Sequence, residues 1–180
     1  MLPEYSVSID AVTGLDPATD TQQGRGVLSP VFNLTIGLTS HSAFKGGCIK
    51  PGTSIRVSYS SLRLPLAAGR APEMCVGRRP SSERRAAVAR GRDVAIPGFL
   101  ADTLAEELRR GEAVFEVKIM SMDDEDGEWD VLSCLMRAGA AATSKTCRRS
   151  SKPFDSVPVT EQGDSGHVPR PVPADPPVQH

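Results

Sequence analysis

Period-two alternation of apolar and polar side chains constrains this chain more than any other feature. In PVFNLTIGLTS, residues 30–40, Phe32, Leu34, Ile36 and Leu38 alternate with Asn33, Thr35, Gly37 and Thr39. EYSVSIDAV, residues 4–12, sets Tyr5, Val7, Ile9 and Ala11 against Ser6, Ser8 and Asp10. TSIRVSYSSLRLPLA, residues 53–67, places Ile55, Val57 and Tyr59 opposite Arg56 and Ser58, with Pro65 marking a sheet edge or a bulge. AVFEVKIM and WDVLSCLMRA, on either side of the turn SMDDEDGE, read as a hairpin. Successive side chains of a strand point to opposite faces, so each stretch is a strand with one dry and one wet side. A weaker strand is expected in AAVARGRDVAI, residues 86–96.

One segment breaks the period. In IPGFLADTLAEELRRGE the residues Leu100, Leu104 and Leu108 recur along one helical face. Pro97 suits a helix start, Arg109 and Arg110 suit its negative C-terminal end, and Gly111 can close it, which predicts a helix over 98–110. Roughly seven short strands separated by turns, with a single late helix, predict an all-β fold, an antiparallel β-sandwich. Alternating strands and helices are missing, which argues against a parallel α/β sheet. The domain is expected to span 1–147. Residues 148–180, basic and then Pro-rich up to PRPVPADPPVQH, are expected to form a disordered tail, because they hold too little apolar surface to offset ordering entropy.

The net charge of −1 gives no long-range field to steer a charged partner. No apolar run reaches the roughly eighteen residues of a membrane span. MLPEYSVSID lacks the basic start and apolar stretch of a signal peptide, so the chain as written is expected in the cytoplasm. Cys48, Cys75, Cys134 and Cys147 include no C-x-x-C pair, which argues against structural zinc. Two readings stay open: free thiols, or two disulfides in an oxidising compartment. For the second, spacing favours Cys48 with Cys75 and Cys134 with Cys147 among three possible full pairings. Asn33-Leu34-Thr35 is an acceptor pattern for N-linked sugar, which matters only if the chain is exported.

The acidic run Asp123, Asp124, Glu125, Asp126 before Gly127 fails as a calcium loop. With Gly127 in the sixth place, Met122 and Ser133 stand where acidic ligands are needed, and Asp-Gly is a favoured turn dipeptide. Arg78, Arg79, Arg84, Arg85, Arg90 and Arg92 form a basic segment, read as a solvated loop and edge strand. Without interleaved aromatics it is a poor nucleic-acid surface. Arg78, Arg79, Arg84 and Arg85 are the candidates for contact with an anionic membrane surface. The histidines are His41, His167 and His180, and no nucleophile elbow or phosphate loop surrounds them, so neither catalysis, a cofactor nor a small-molecule substrate is expected.

The order of these pieces resembles a known family. YSVSIDAVTGLD is followed by SPVFNLTIGLTSHS, where the family has F-x-(V/L)-x-(V/L)-x-x-x-N/S. Then come CIKPGTSIRVSYSSLRLPLAAG, VAIPGFLADTLAEELRRGEAVFEVKI and a closing WDVLSCLMRAG. This is similar to the late embryogenesis abundant subgroup-2 domain of plants, also found in harpin-induced-like membrane proteins, in a variant reminiscent of grasses. The resemblance spans about residues 4–147. It implies a fibronectin-type-III-like sandwich with one helix, no enzyme activity, and a link to defence and water-deficit stress. Many members carry one N-terminal transmembrane anchor with the sandwich outside the cell. That anchor normally precedes the strand matched by Glu4–Val12, where this chain begins; a truncated upstream segment or a lost anchor is the expectation. With an anchor, the place is the extracellular face of the plasma membrane. The function expected is stress- or defence-associated surface binding to a protein or an anionic membrane. A soluble cytosolic protector against drying is the alternative, and a basic-patch nucleic-acid binder a distant third.

Overall fold

A computed structural model describes residues 2–20, 26–60, 62–122, 127–138 and 145–153. In chain order the elements are β1 (Glu4–Thr13), β2 (Val27–Leu28), β3 (Val31–Ser40), β4 (Gly47–Ile49), β5 (Ser54–Tyr59), β6 (Leu64–Arg70), β7 (Met74–Val76), β8 (Ser81–Arg90), β9 (Val94–Ala95), α1 (Gly98–Arg110), β10 (Val114–Met122), β11 (Glu128–Arg137), β12 (Lys145–Thr146) and β13 (Arg148–Pro153). Nine strands form one antiparallel sheet in the order β12-β1-β3-β8-β6-β5-β10-β11-β13, while β2–β9 and β4–β7 make two short pairs. The fold is all-β with a single helix, a curled sheet that is both sandwich and barrel in character.

One layer consists of β1, β3 and β8, with β3 in the middle. It pairs along its whole length with β1, from Glu4↔Thr39 to Thr13↔Val31, and with β8, from Ser40↔Ser81 to Val31↔Arg90. The other layer runs β6-β5-β10-β11. The layers meet at one corner, where β6 and β8 pair only at Ala68↔Arg90 and Gly69↔Ala89. Glycine is required there. A Cβ on Gly69 would collide with the Val88 carbonyl oxygen, and one on Gly91 with the Leu66 carbonyl oxygen. Pro65 sits beside a register shift between Val57↔Ala67 and Ser58↔Pro65, so the proline expected at an edge or bulge marks a bulge.

The second corner is closed by residues 145–153. β12 pairs with β1 through Ser6↔Thr146 and Val7↔Lys145, and the Cys147 amide donates to the Tyr5 carbonyl at 3.1 Å. β13 then pairs with β11 from Ser133↔Arg148 to Glu128↔Pro153. Residues 148–153 therefore belong to the domain and not to the tail expected from 148 onward. RRSSKP has no apolar side chain before its final proline and no alternation, so hydropathy could not reveal a strand held by backbone hydrogen bonds. The remainder of the expected tail, from 154, lies outside the described residues.

The inward rows of the two layers form one core. Val7, Ile9, Phe32, Leu34, Ile36 and Leu38 face Ile55, Val57, Tyr59, Phe115, Val117 and Ile119, all buried. Phe32 and Phe115 meet edge to face with centroids 5.1 Å apart, the arrangement favoured by aromatic quadrupoles. Helix α1 contributes Leu100 and Leu104 to the same core, with Leu108 half-buried against it. The Pro97 carbonyl accepts from the amides of Leu100 and Ala101, both at 2.9 Å, which starts the helix. Gly111, at φ 69°, ends it, and the Glu112 amide returns to the Glu107 carbonyl at 2.8 Å.

Candidate functional site

Arg78, Arg79, Arg84 and Arg85 lie toward the end of the fold where β3 finishes and β8 begins. Arg90 and Arg92 lie at the far end of β8, where Arg90 pairs with Val31. Arg78, Arg79 and Arg92 stand in bends; Arg84, Arg85 and Arg90 belong to β8. Of the solvated loop and edge strand expected here, the bend holds Arg78 and Arg79, and the strand is β8, which pairs with β3 throughout while β6 joins it only at Ala89 and Arg90. β3 offers a complete row of backbone groups, and β8 pairs with it whatever its side chains are. The four candidate arginines consequently have different surroundings. Arg78 and Arg79 are exposed. Arg84, opposite Gly37, points outward, and its side chain lies beside the buried Gly37 backbone. Arg85, opposite Ile36, shares the row of Glu83 and pairs with its carboxylate at 2.5 Å from Nη2 and 2.7 Å from Nε. Arg78, Arg79 and Arg84 form no ion pair with a described residue.

The loop 41–46 runs next to this bend. Ser40 is paired with Ser81, and the Gly46 backbone lies so close to Val76 and Gly77 that a side chain at 46 has no room. The Ser42 hydroxyl accepts from the amides of Phe44 and Lys45, both at 3.1 Å, and the Ser40 hydroxyl donates to the Lys45 carbonyl at 2.8 Å. His41 sits 3.4 Å from Glu4 at the exposed start of β1. Chemically, this end of the molecule presents cations on a hydrogen-bonded frame.

Both cysteine pairs are bonded: Cys48 to Cys75 and Cys134 to Cys147, with Cα separations of 4.1 and 4.5 Å. The first joins directly opposed residues of β4 and β7 and is exposed. The second ties the sheet-closing segment to β11 and has its Cys134 end in the core. Asn33 is exposed on the outward face, opposite Val88 of β8. Thr35 of the same tripeptide donates to Asp10 Oδ2 at 2.6 Å, and the Ser8 hydroxyl donates to Asp10 Oδ1 at 3.0 Å. Asp10 is the extra residue where the register between β1 and β3 shifts. The fold thus occupies the hydroxyl of the sugar-acceptor pattern while leaving the asparagine open.

Two concavities were not legible in the sequence. A cleft of about 320 Å³ lies between the end of β1, the turn at Asp16–Asp20, and Ala105, Leu108 and Arg109 of α1. Its carboxylates serve the turn: the Asp16 amide donates to Asp20 Oδ2 and the Ala18 amide to Asp16 Oδ1, both at 2.9 Å. A smaller hollow of about 100 Å³ is lined by Tyr5, Lys50, Asp130 and Arg149 among others. Arg149 holds Asp130 with two hydrogen bonds, 2.8 and 2.5 Å long. Burial pushes the Tyr5 phenol above its ordinary value, Arg149 opposes the rise and Asp130 adds to it. The run Asp123–Asp126 lies outside the described residues, as do His167 and His180. Among the described residues no three His, Cys, Asp or Glu side chains converge as metal ligands, and no helix is long and apolar enough to cross a membrane. In comparisons with known proteins, no family model, no curated protein and no solved structure matches this chain.

Proposed function

We propose that this chain is a late-embryogenesis-abundant subgroup-2-like domain that works on the oxidising, outer side of the plasma membrane by surface binding. Its place in the plant would be among stress- and defence-associated proteins, and its action would involve no turnover of substrate. The observation that carries the reading is the pairing of all four cysteines. Disulfides persist in exported proteins and are reduced in the cytosol. The exposed Cys48–Cys75 bond would be among the first lost there, because accessible disulfides exchange most readily. The motif order, the all-β fold and the single late helix agree with the resemblance described above. The cationic end of the fold supplies a surface through which such a domain can bind.

Peptide mapping tests this proposal. The chain is expressed in plant cells with an added export signal, recovered from the cell surface, and alkylated before and after reduction. Linked peptides containing Cys48 with Cys75 and Cys134 with Cys147 are expected. Four alkylatable thiols in the native exported protein would overturn the proposal and favour the cytosolic protective role.

A further inference from the structure

We infer that the end of the fold formed by residues 41–46 and 77–81 is a membrane-docking tip, with Phe44 as the side chain that enters the lipid interface. The inference rests on the reading that the chain works at a membrane. It adds which side chains touch the membrane and the lipid chemistry they select. Phe44 is 86% exposed, the most exposed large apolar side chain described. Apolar side chains scattered singly over a surface are ordinary, but this one is held in place. Ser42 fixes the backbone amide of Phe44 and Ser40 fixes the carbonyl of Lys45, while Gly46 is wedged against Val76 and Gly77. The exposed Cys48–Cys75 bond clamps β4 to β7 just beyond the loop. Leu2, 63% exposed, leaves the same end, since Pro3 packs against Gly47 of β4.

Charge identifies the lipid. Lys45, Arg78, Arg79, Arg84 and Arg85 stand at this end, whereas the described carboxylates there are Glu4 and Glu83, paired with His41 and Arg85. The surplus is cationic although the whole chain carries −1. The acidic run 123–126 lies outside the described residues, so this surplus is one of the described side chains. An exposed aromatic side chain followed by Lys45, on a loop that packs beside the bend of Arg78 and Arg79, has the composition of an interfacial anchor. The ring gains by leaving water at the headgroup boundary, and the cations gain from anionic headgroups. The occupant of this surface is therefore an anionic bilayer.

Co-sedimentation of the full chain with vesicles of phosphatidylcholine, alone or with phosphatidylserine, is the test. The parent should bind the anionic vesicles and leave the neutral ones. Phe44→Ser should lower partitioning about tenfold, the scale of one aromatic side chain returned to water. Arg78→Gln with Arg79→Gln should lower it about fivefold for each residue at low salt, and less as salt is raised. Unchanged melting of each variant shows that binding, and not folding, was altered. In a Trp129→Phe background, Phe44→Trp should shift its emission to the blue on anionic vesicles alone. If the parent binds anionic vesicles and Phe44→Ser binds equally well, the docking tip is wrong while the membrane-side reading stands. If the parent binds neither vesicle, the tip is again wrong, and the disulfide map decides the fate of the broader reading.

Discussion

The Tyr59 hydroxyl donates to Glu107 Oε2 across 2.6 Å, joining the end of β5 to the last turn of α1. Tyr59 is buried, so its phenolic O–H needs a partner, and its ring packs toward Phe115 with centroids 6.3 Å apart. Tyr59→Phe keeps the ring and removes the donor to a carboxylate. It should lower stability by roughly 1.5–3 kcal/mol, the range for a hydrogen bond to a charged group. Denaturant unfolding at constant slope measures this, and an unchanged midpoint would show that the hydrogen bond adds nothing to the apolar packing of the helix through Leu100, Leu104 and Leu108.

At the corner between the layers, Gly91→Ala should be the costlier of two small changes. Its methyl would meet the backbone of Leu66 and the side chains of Pro30 and Val94, none of which can simply rotate away. A loss of about 2 kcal/mol or more is expected, within the range for overpacking a tight site. Gly98→Ala, which meets nothing within 4 Å, is the control and should change little.

The two disulfides should yield to reductant in order. Cys48–Cys75 is exposed at both ends, whereas Cys134 is buried. Graded reduction with trapping should therefore release Cys48 and Cys75 first. Replacing Cys134 and Cys147 together by serine should cost roughly 3 kcal/mol, the scale for closing a loop of this length. Release of Cys134 before Cys48 would contradict the burial argument.

Chains ending at 147 and at 153 should differ. The shorter one loses β13 and exposes the edge of β11 from Glu128 to Ser133. It should melt several degrees lower, as expected for losing a few kcal/mol in a domain of this size. Equal melting would mean that β12 alone closes the sheet.

Tyr5 should ionise above the usual tyrosine range, because its burial disfavours the phenolate. In the unfolded chain it ionises near 10. Its contribution to stability is thus complete below about that pH and is lost as pH rises through the higher folded value. Ring carbon shifts in NMR resolve Tyr5 from Tyr59 and follow the titration directly. An ordinary Tyr5 value in the folded chain would refute it.

The long strands and the helix were legible because burial writes its period into the residues. Phe32 to Leu38 and Phe115 to Ile119 alternate, and Leu100, Leu104 and Leu108 recur at helical spacing. β8 was only half legible. Its inward row runs Glu83, Arg85, Ala87, Ala89, and the charged half hides a period that the alanines keep. β13 carries no hydropathy signal at all, and β2, β4, β7, β9 and β12 are too short to show one. Of the candidate site, the arginines could be named from sequence. Their division into exposed Arg78 and Arg79, outward Arg84 and carboxylate-bound Arg85 depends on strand register. Phe44 gave no signal either, since nothing in the string separates an exposed loop phenylalanine from a buried one.

The strap at residues 145–153 also sets a timetable. β1 leaves the ribosome more than 130 residues ahead of Lys145, Thr146 and Cys147, which complete one of its edges. Until they emerge, β1 and β11 each present an unpaired edge to the crowded surroundings of a nascent chain. Pairings so distant in sequence form slowly, because loop closure comes before any contact is gained. The interval between emergence of β1 and arrival of the strap is therefore when these edges are open to edge-to-edge association. Formation of the Cys134–Cys147 bond marks its end.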